Sequence, residues 1–531
     1  MTPSPGLPAD SLVHAVAEAV DRAGGRALVV GGGPRDWLLG RPTKDLDLEV
    51  FGLSRDRLAE VLEGFGCKGT VGRQLPVWRL PRADLDVSHP RAGALDYRPD
   101  RPDSLEAAFR RAARHRDLTI NAIAWDPLDD RWIDPHHGRA DLAARRLRAV
   151  DREKFASDPL RLLRVARFVA CLEAEPDREL VETCRDMDFE GVPVERVAGE
   201  LRRWLLGAER PSRGFHFLED VGRLSLLGPV ATLRGVPQDP RWHPEGDVFF
   251  HTLQVVDQAV RLARPLPPWE AEVLLWAALC HDLGKPATTR PEKGRIRAFR
   301  HDVVGARITA DWLESLRLSG RLRRAVGALV RHHLAPVQLV SGGAGPKAYR
   351  RLARKLAEGG VTMLDLERLA RADHLGRATE EATPDVFAEG EAFLAAARAA
   401  GVESGPRSDV VEASRLMARG LEEGPALGRA LARCRVLEDE RDQPDPDEIV
   451  DVVLKEGVGA DRRSEPRRRQ GSGFAVLSSA RSLARALTRP SLGRSPVSAT
   501  RRRDALAASA RRADRDGPTR RARPPRASRR T

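Results

Sequence analysis

The stretch that most constrains the fold of this chain lies at residues 26–50, where an apolar run ends in three glycines and an alternating segment follows. The run RALVVGGG predicts a short buried strand that ends in a tight turn, and RDWLLG predicts a helical turn after it. In DLDLEVFG, acidic and apolar residues alternate, so Asp45, Asp47 and Glu49 are expected on one face of a second strand. The chain is therefore expected to build a sheet that carries acidic side chains on one face.

The glycine turn and the acidic strand together suggest a phosphate and metal site. Backbone N–H groups at the turn could bind phosphate, with Arg35 beside them. The segment is not a P-loop, because no Gly-Lys-Ser/Thr follows, and it is not a dinucleotide fingerprint, because Asp36 stands where that pattern needs its last glycine. Asp45 and Asp47 alone would most simply be a solvated strand face, whereas the turn upstream favours Mg²⁺, which prefers carboxylates and substrate phosphates.

The rest of the chain predicts further strands and then a long helical region. LPVWRL and ADLDVS predict two strands, which gives a small mixed or antiparallel sheet. From about residue 150 the sequence becomes helical in pattern, with breaks at 233–247 and 341–346. We predict an α+β chain whose parts are a head with the small sheet at 1–150, an all-helical neck and body at 151–235, an all-α domain at 236–400, a helical segment at 401–460 and a disordered tail at 461–531.

The net charge of +13 is concentrated in the predicted tail. Residues 461–531 contain 21 Arg, no Lys and 5 acidic residues, a net charge of +16, which leaves −3 for residues 1–460. The tail lacks the apolar residues needed to offset chain entropy, which predicts disorder. It would be either a solvated extension or a segment attracted to RNA and other polyanions.

Composition also bears on the cellular compartment. The cysteines are odd in number and never spaced C-x-x-C, which argues against a disulfide framework or a zinc ribbon. The N-terminus lacks a signal-peptide pattern, and no run approaches the ~18 apolar residues of a membrane span. We therefore expect a cytoplasmic protein without a membrane partner, and no stable protein partner is inferred.

The helix predicted at 157–168 carries the next candidate residues. Asp158 suits the N-cap and Pro159 the first helical position, so a capping role of ~1 kcal/mol is the simplest function of Asp158. Arg161 and Arg164 lie three residues apart on one face, and Phe168 is expected on the opposite face. Arginine and carboxylate groups supply fixed donors and acceptors that could read a base edge.

Several motifs in series resemble one enzyme family. The segment GGGPRD at 31–36 followed by Asp45-Leu46-Asp47 resembles the signature of class II tRNA nucleotidyltransferases, the CCA-adding enzymes, and of the related bacterial poly(A) polymerases. HRDLTINAIAW at 115–125, IDPHHGRADLAARRLRAV at 133–150 and SDPLRLLRVARF at 157–168 resemble later motifs of this family, in the same order. The chain departs from the pattern at Pro34, which replaces an aliphatic residue, and at Ser157, which replaces an acidic one.

This resemblance implies a polymerase-β-like head, Mg²⁺ as cofactor, and tRNA, CTP and ATP as partners. It implies that Asp45 and Asp47 hold the metal and that a third carboxylate completes the catalytic set; Asp86 is our candidate and Asp84 the alternative. The residues implied to bind the nucleotide are Gly31, Gly32, Arg35, Arg116, Asp158, Arg161 and Arg164. Asp158 and Arg161 would imitate a complementary base, since no nucleic-acid template is used.

A second set of candidate residues lies in the predicted all-α domain. VLLWAALCHDLGK at 273–285 places His281 and Asp282 at the end of an apolar helix, where a buried carboxylate costs several kcal/mol unless it is paired or metal-bound. The order of the surrounding residues resembles the HD superfamily of metal-dependent phosphohydrolases. The resemblance implies that one divalent ion is held by His251, His281, Asp282 and Asp373, with His301 and His332 as candidate ligands of a second. Histidine ligands favour a transition metal such as Ni²⁺, Mn²⁺ or Co²⁺.

The sequence thus predicts a tRNA nucleotidyltransferase that adds C and A, with an attached HD phosphohydrolase or phosphodiesterase. A poly(A) polymerase, or an enzyme that adds only A or only CC, is the alternative of the same class. In an alternative of another class, the HD site is the working centre and the head merely binds nucleotides, which the intact Asp45 and Asp47 pair disfavours. A non-catalytic RNA-binding protein acting through its tail is disfavoured by the acidic body.

Overall fold

The computed structural model describes residues 11–43, 45–67, 77–80, 84–101, 103–379 and 386–457. The predictions for the tail at 461–531 lie outside these residues. No helix in the described ranges has both the length and the apolar character that crossing a bilayer requires.

The head consists of short helices packed on a mixed sheet. Its helices are α1 (Leu12–Arg22), α2 (Gly32–Leu38), α3 (Arg55–Glu63), α4 (Asp103–Ala113) and α5 (Gly138–Ala143), with a 3-10 turn at Thr119–Asn121. Its strands are β1 (Arg26–Val30), β2 (Leu46–Phe51), β3 (Val77–Arg79), β4 (Leu85–Ser88), β5 (Ala124–Asp126), β6 (Arg131–Ile133) and β7 (Arg146–Leu147).

Six of these strands form one sheet in the order β3-β4-β2-β1-β5-β6. Strands β2 and β4 run parallel, and the other neighbouring pairs run antiparallel. One side of the sheet packs against α1 and α3, and the other side packs against α4 through residues such as Phe109. The prediction of a small mixed sheet is confirmed.

Strand β2 shows the alternation that its sequence predicts. Leu48 and Val50 are fully buried in the core, while Asp47 and Glu49 between them are not. The acidic side chains therefore lie on the face opposite to these two core residues, which is the consequence of the two-residue period of a strand.

The remainder of the described chain is mainly helical. The helices are α6 (Arg152–Ala156), α7 (Leu160–Leu172), α8 (Arg178–Asp186), α9 (Val194–Gly207), α10 (Ser212–Asp220), α11 (Val248–Ala263), α12 (Pro268–Cys280), α13 (Lys285–Thr288), α14 (His301–Ser315), α15 (Gly320–His332), α16 (Ala335–Ser341), α17 (Pro346–Gly359), α18 (Met363–Leu375), α19 (Ala388–Ala399), α20 (Ala413–Ala418), α21 (Pro425–Asp439) and α22 (Pro446–Lys455). Three short strands, β8 (Glu175–Pro176), β9 (Thr289–Glu292) and β10 (Arg295–Ala298), and a 3-10 segment at Leu224–Leu233 complete it.

One hydrophobic core runs through most of this helical region. A continuous cluster of buried side chains extends from Leu118 to Val402, across the break predicted near residue 235. The segment after residue 410 has its own small core, between Val411 and Val453. The neck and the HD region therefore pack together as one helical body, and the α+β prediction is confirmed.

The prediction that 236–400 is helical is confirmed, with one short hairpin as the exception among the described residues. Strands β9 and β10 pair antiparallel as a hairpin directly before α14. Lys293 and Gly294 at its tip both have positive φ, of 48° and 74°, which is the conformation of a two-residue type I′ turn. The hairpin matters because its residues Ile296, Arg297 and Ala298 line the cavity at the HD cluster.

Candidate active sites

The glycine turn of the head lies against the acidic strand. Gly31 occupies the N-cap of α2 with a φ of 81°, a left-handed conformation that favours glycine. A Cβ atom at this position would lie 2.7 Å from Oδ2 of Asp47, so a side chain would displace that carboxylate. The turn and Asp47 therefore fit together only because residue 31 has no side chain.

The register of the sheet places Asp47 and Asp86 side by side. In the parallel β2–β4 pair, Asp47 lies opposite Asp86, while Asp84 precedes β4 and its carbonyl accepts a hydrogen bond from Leu46 N at 2.9 Å. Asp45 comes directly before β2 and is exposed. The pKa of Asp47 is raised, because the surrounding protein desolvates it and the carboxylates around it repel its charge, although Arg116 opposes the shift.

This carboxylate set is chemically suited to a hard divalent cation, which takes oxygen ligands. In the described residues, no three of these head carboxylates bring ligand atoms within 4.8 Å of one another. Asp86 instead pairs with Arg79, whose Nε lies 3.0 Å from Oδ1. Arg79 therefore occupies part of the binding capacity of one carboxylate of this set.

A cavity of about 760 Å³ opens beside the turn. It is lined by Gly31, Gly32, Arg35, Arg116, Asp117, Asn121, Asp158, Leu160, Arg161, Arg164, Arg167, Phe168, Glu195, Arg196, Gly199, Glu200 and Arg203. All seven residues proposed from the sequence to bind the nucleotide are in this lining. The excess of arginines suits a polyanionic ligand such as a triphosphate.

Two buried carboxylates hold the arginines of the cavity in place. Asp117 accepts a hydrogen bond from Arg164 Nε at 2.6 Å and another from Asn121 Nδ2 at 2.9 Å. Burial opposes its ionisation, but Arg164 and these hydrogen bonds lower the pKa of Asp117 to about 2. Glu200, 1% exposed, contacts Arg164, Arg167 and Arg203.

The remaining cavity arginines have partners as well. Arg35 donates to Asn121 Oδ1 at 2.6 Å and to its neighbour Asp36. Arg116 Nη2 lies 2.8 Å from Glu49 Oε1, on the acidic face of β2. These contacts link the glycine turn, strand β2 and the segment that follows α4 around one opening.

Asp158 and Arg161 lie at the start of α7, and both side chains are engaged. Asp158 Oδ1 accepts from Leu160 N at 3.2 Å, and Oδ2 pairs with Arg196 at 2.9 Å. The helix begins at Leu160, so Pro159 rather than Asp158 takes the N-cap position. Arg161 is 8% exposed and donates to the backbone carbonyls of Lys154 and His115, which fixes its guanidinium group.

The prediction that Phe168 lies on the helix face opposite Arg161 and Arg164 is wrong. Its ring lies under the guanidinium groups of Arg35, Arg164 and Arg167, at 5.1, 5.7 and 4.1 Å from the ring centroid. Residues four apart on a helix share a face, so Phe168 lies on the same side as Arg164. It thus forms an apolar part of the cavity wall beneath the arginines.

The second candidate site lies among α11, α12, α14, α15 and α18. His251 Nε2 lies 3.0 Å from Asp373 Oδ1 and 4.0 Å from Asp282 Oδ2, and His281 Nε2 lies 3.2 Å from the same Asp282 oxygen. His301 Nε2 lies 3.4 Å from Asp282 Oδ1. Residues that are far apart in the sequence therefore converge on Asp282.

Within the described residues, three groups of side chains here bring possible ligand atoms within 4.8 Å of one another, and two of them consist of buried residues only. The first consists of His251, His281 and Asp373, and the second of Asp282, His301 and His333. His281 Nε2 and Asp282 Oδ2 are buried without a regular hydrogen bond, although Lys285 Nζ lies 2.7 Å from the latter. Unsatisfied buried nitrogen and oxygen atoms at this spacing fit a divalent ion with mixed histidine and carboxylate ligands.

The backbone orients most of these imidazoles. Nδ1 of His281, His301 and His333 each lies 2.8 Å from the carbonyl oxygen of the residue three positions earlier. The contact assigns the proton to Nδ1 and leaves the Nε2 lone pair directed at the cluster. Burial, together with the neighbouring His301 and His281, lowers the pKa of His333 to about 3, which keeps the ring neutral as a ligand must be.

His332 does not lie in this cluster; its neighbour His333 does. The side chain of His332 lines a separate cavity between α14, α15 and α17, beside Arg331 and Lys355. Consecutive residues of a helix point about 100° apart, so only one of the pair can face Asp282. The spacing of the buried residues Leu322, Val326 and Leu329 continues to position 333, a signal that the sequence contained.

Other site residues were also missed from the sequence. Asp117 and Asn121 stand inside the motif at 115–125, and Glu200 follows in α9 as an acidic residue on an otherwise apolar face. Near the HD cluster, Lys285, Arg297 and Arg377 line a cavity of about 260 Å³ together with His301 and His333. Glu245 contacts His251 from the other side.

Comparisons with known proteins match the two regions that carry these candidate sites to two families. Residues 27–148 match the family described as Poly A polymerase head domain, and residues 248–375 match the HD domain family. The multifunctional CCA protein of Verminephrobacter eiseniae is 38% identical over 321 residues, which cover 57% of this chain and 73% of that protein. The protein of the same name from Ralstonia nicotianae is 37% identical over 345 residues, covering 61% and 74%.

Solved structures share the fold. A Bacillus stearothermophilus CCA-adding enzyme in complex with CTP aligns with a TM-score of 0.53 and 20% identity, covering 83% of this chain and 96% of that one. A Thermotoga maritima CCA-adding enzyme complexed with tRNA aligns with a TM-score of 0.50 and 17% identity, covering 84% and 94%. The sequence identity to the curated relatives, over most of their length, establishes that this chain belongs to the multifunctional CCA protein family.

Proposed function

We propose that this chain adds C and A to the 3′ ends of tRNA from CTP and ATP without a nucleic-acid template, and that its HD region hydrolyses phosphoesters. The observation that carries the first activity is the position of Asp47, between the Gly31 turn and Asp86, next to the arginine-lined cavity. Its relatives named multifunctional CCA proteins support the choice of tRNA as substrate. The activity would take place in the cytoplasm, where tRNA and nucleoside triphosphates occur together.

In the head, Asp45, Asp47 and Asp86 would hold Mg²⁺. When bound, the metal would neutralise the phosphate charge and lower the pKa of the attacking 3′-hydroxyl group. The backbone at Gly31 and Gly32, with Arg35 nearby, would bind the triphosphate and hold it in line with the RNA end. Since most of the rate gain in such transfers comes from positioning and charge stabilisation, the fixed arginines matter as much as the carboxylates.

Nucleobase selection is proposed for Asp158 and Arg161. Both line the cavity, and each is held by protein contacts, Asp158 by Arg196 and Arg161 by two backbone carbonyls. Held groups present their remaining donors and acceptors in a fixed direction, which is what discrimination between base edges requires. Phe168 would provide an apolar surface near the base.

In the HD region, His251, His281, Asp282 and Asp373 would hold one ion, and Asp282, His301 and His333 a second. We propose Ni²⁺, Mn²⁺ or Co²⁺ because imidazole ligands dominate. The bound ions supply an activated water for attack on phosphorus. Lys285, Arg297 and Arg377 line the adjoining cavity, where they would bind the phosphate and stabilise its charge.

One set of variants tests both activities. The parent, Asp45→Ala, Asp47→Ala and His281→Ala are each incubated with tRNA ending at the discriminator base, after C or after CC, with CTP and ATP supplied separately, and the products are sequenced. The same preparations are assayed for hydrolysis of 2′,3′-cyclic nucleotides with each metal. We expect the two aspartate variants to lose nucleotide addition while their tRNA affinity stays within a few-fold, and His281→Ala to lose only hydrolysis.

Several results would contradict the proposal. Near-normal addition by either aspartate variant would remove Asp45 and Asp47 from the metal site. A long run of A on any of the three tRNAs would favour a poly(A) polymerase, and addition of only A or only CC would identify a specialised enzyme. Absence of hydrolysis in the parent with every metal would make the HD region structural.

A further inference from the structure

A buried carboxylate outside the proposed metal groups lies against one of their histidines. The side chain of Glu245 has no exposed surface, and its Oε1 lies 2.8 Å from Nδ1 of His251 and 2.8 Å from Nδ1 of His243. Its Oε2 accepts a hydrogen bond from Ala378 N at 3.2 Å. Ala378 follows the helix that carries Asp373, so this one carboxylate connects His251 to the segment beyond another proposed ligand.

His251 differs from the other histidines of the cluster in how its ring is held. His281, His301 and His333 each place Nδ1 against a backbone carbonyl of their own chain segment. His251 lies inside α11, where the carbonyl three residues earlier, that of Val248, accepts the hydroxyl of Thr252 at 2.8 Å. No acceptor among the described residues forms a regular hydrogen bond with His251 Nδ1, and Glu245 Oε1 is its charged neighbour at 2.8 Å.

The two nitrogens of the His251 ring therefore face different groups. Nδ1 faces Glu245, and Nε2 faces Asp373 at 3.0 Å and Asp282 at 4.0 Å. Without an ion, the single proton of a neutral ring would lie on Nε2, which forms the regular hydrogen bond to the Asp373 carboxylate. An ion bound at Nε2 would take the place of that proton, and the ring would then carry its proton on Nδ1, where Glu245 attracts it. Carboxylates that hold the far nitrogen of a ligand histidine fix its orientation and make it a stronger ligand.

We propose that Glu245 is a positioning residue, which holds His251 with Nε2 directed at the ion shared with His281 and Asp373. The inference rests on the proposed metal site of the HD region. His243, Glu245 and His251 also bring ligand atoms within 4.8 Å of one another. An ion at that place would compete for His251 Nδ1, and His251 could serve both ions only as a fully deprotonated ring, which favours the positioning role.

The test measures metal binding in the full-length chain. Asp45 and Asp47 are both replaced by Ala throughout, so that the head does not contribute ions, and Mn²⁺ is titrated by calorimetry into this reference protein and into versions that also carry Glu245→Ala, Glu245→Gln or His243→Ala. We expect the reference to bind two ions. In Glu245→Ala the affinity for one ion should fall roughly 10–100-fold while the other stays within about threefold, and Glu245→Gln should restore part of the loss.

His243→Ala is the matched control, because it removes the other imidazole on the same carboxylate. We expect it to keep two ions, with a smaller loss of affinity than Glu245→Ala. Nucleotide addition by Glu245→Ala in the chain with intact Asp45 and Asp47 should equal that of the parent, which verifies that the rest of the molecule is folded.

The outcomes separate the alternatives. Unchanged Mn²⁺ affinity in Glu245→Ala would overturn the positioning role, and so would loss of both ions together in Glu245→Gln, which would mean that the carboxylate only supports the fold. Loss of one whole ion in His243→Ala would also overturn it, since the ion would then lie at His243 and Glu245. No Mn²⁺ binding by the reference protein would instead overturn the proposed metal site itself.

Discussion

The requirement for glycine at position 31 is explained by the side chain that lies opposite it. Its positive φ would be tolerated by few other residues, but the closer constraint is the Asp47 carboxylate, 2.7 Å from where a Cβ would stand. Gly40 has a similar φ of 67° and nothing within 4 Å of its Cβ position. At both positions a side chain would strain the backbone, but only at Gly31 would it also collide with another residue.

We therefore expect Gly31→Ala and Gly40→Ala to separate these effects. Gly40→Ala should lower the free energy of unfolding by about 1–2 kcal/mol through backbone strain. Gly31→Ala should lower it by at least as much, because Gly31, with φ 81° and ψ −134°, lies in a region that side chains avoid more strongly. Only Gly31→Ala should reduce nucleotide addition, by roughly 10²-fold, because it displaces Asp47. Measured CTP incorporation and chemical unfolding check this, and equal activity loss in both variants would show that strain alone is responsible.

Asp117 is the residue at which a pH effect is most directly expected. Its ordinary pKa of 3.8 is lowered to about 2 in the folded chain, mainly by Arg164 acting against the effect of burial. A depressed carboxyl pKa contributes stability that is complete above the unfolded value and is lost as the pH falls from about 4 towards 2. The shift corresponds to about 2 kcal/mol.

Asp117→Asn should accordingly be less stable than the parent by about 2 kcal/mol at pH 6, because the variant lacks the charge that pairs with Arg164. The difference should shrink as the pH falls below 4 and be mostly gone at pH 2, where about half of the parent carboxyl groups are protonated as well. Calorimetric unfolding of both proteins across this range is the measurement. A difference that stays constant with pH would mean that Asp117 contributes through shape and hydrogen bonding rather than through its charge.

At the scale of elements, the pairing of β2 with β4 decides which carboxylate joins Asp47. The strands are parallel, and their register sets Asp86 opposite Asp47 on the same face. Asp84 has the same parity in the sequence, but it lies before the strand begins, where its carbonyl bonds to Leu46. The resemblance favoured Asp86 and left Asp84 as the alternative, since register depends on the partner strand.

This register gives an expected difference between two otherwise similar variants. Asp86→Asn should lower nucleotide addition by roughly 10²-fold or more, because it removes a charged oxygen ligand, whereas Asp84→Asn should stay within a few-fold of the parent. Both should bind tRNA like the parent. CTP incorporation at several Mg²⁺ concentrations checks the assignment, and a larger loss in Asp84→Asn would reverse the roles of the two residues.

At the scale of the whole molecule, charge is distributed very unevenly along the sequence. Residues 1–460 carry a net charge of −3, and the segment 461–531 carries +16 out of a total of +13. Inside the slightly acidic part, positive charge is gathered around the head cavity by Asp117 and Glu200, which fix the arginines there. The chain therefore has an arginine-lined cavity in its head and, elsewhere in its sequence, a second cationic segment.

Deleting residues 461–531 should leave nucleotide addition and HD hydrolysis intact and reduce the salt dependence of RNA binding. Each phosphate that the segment neutralises contributes about 0.7–0.9 to the slope of log affinity against log salt. A chain of full length whose arginines in this segment are replaced by Gln is the matched control for length. An unchanged slope in both variants would mean that the segment does not contact RNA.

Much of the local structure followed from periodicity. The two-residue alternation of DLDLEV predicted the acidic face of β2, and the apolar helix that ends in His281-Asp282 predicted a buried charge that needs a partner. Both predictions depend only on backbone geometry and on the cost of burying charge, which neighbouring residues already express. The same reasoning applies to α7, because residues 161, 164 and 168 repeat at helical spacing and should share a face. The sequence-based prediction nevertheless assigned Phe168 to the opposite face.

What the sequence by itself determined is therefore the kind of each element and the chemical identity of its polar residues, because both are set within one or two turns of chain. The tertiary structure decided which candidates meet. It places Asp86, the residue favoured from the sequence, opposite Asp47, and His333 rather than His332 beside Asp282, although helical spacing already pointed to position 333. It also places Glu245 behind His251. These choices depend on the rotation of a helix, on strand register and on contacts between residues as far apart as 251 and 373. Such contacts are fixed by how the elements pack, which no local stretch of the sequence encodes.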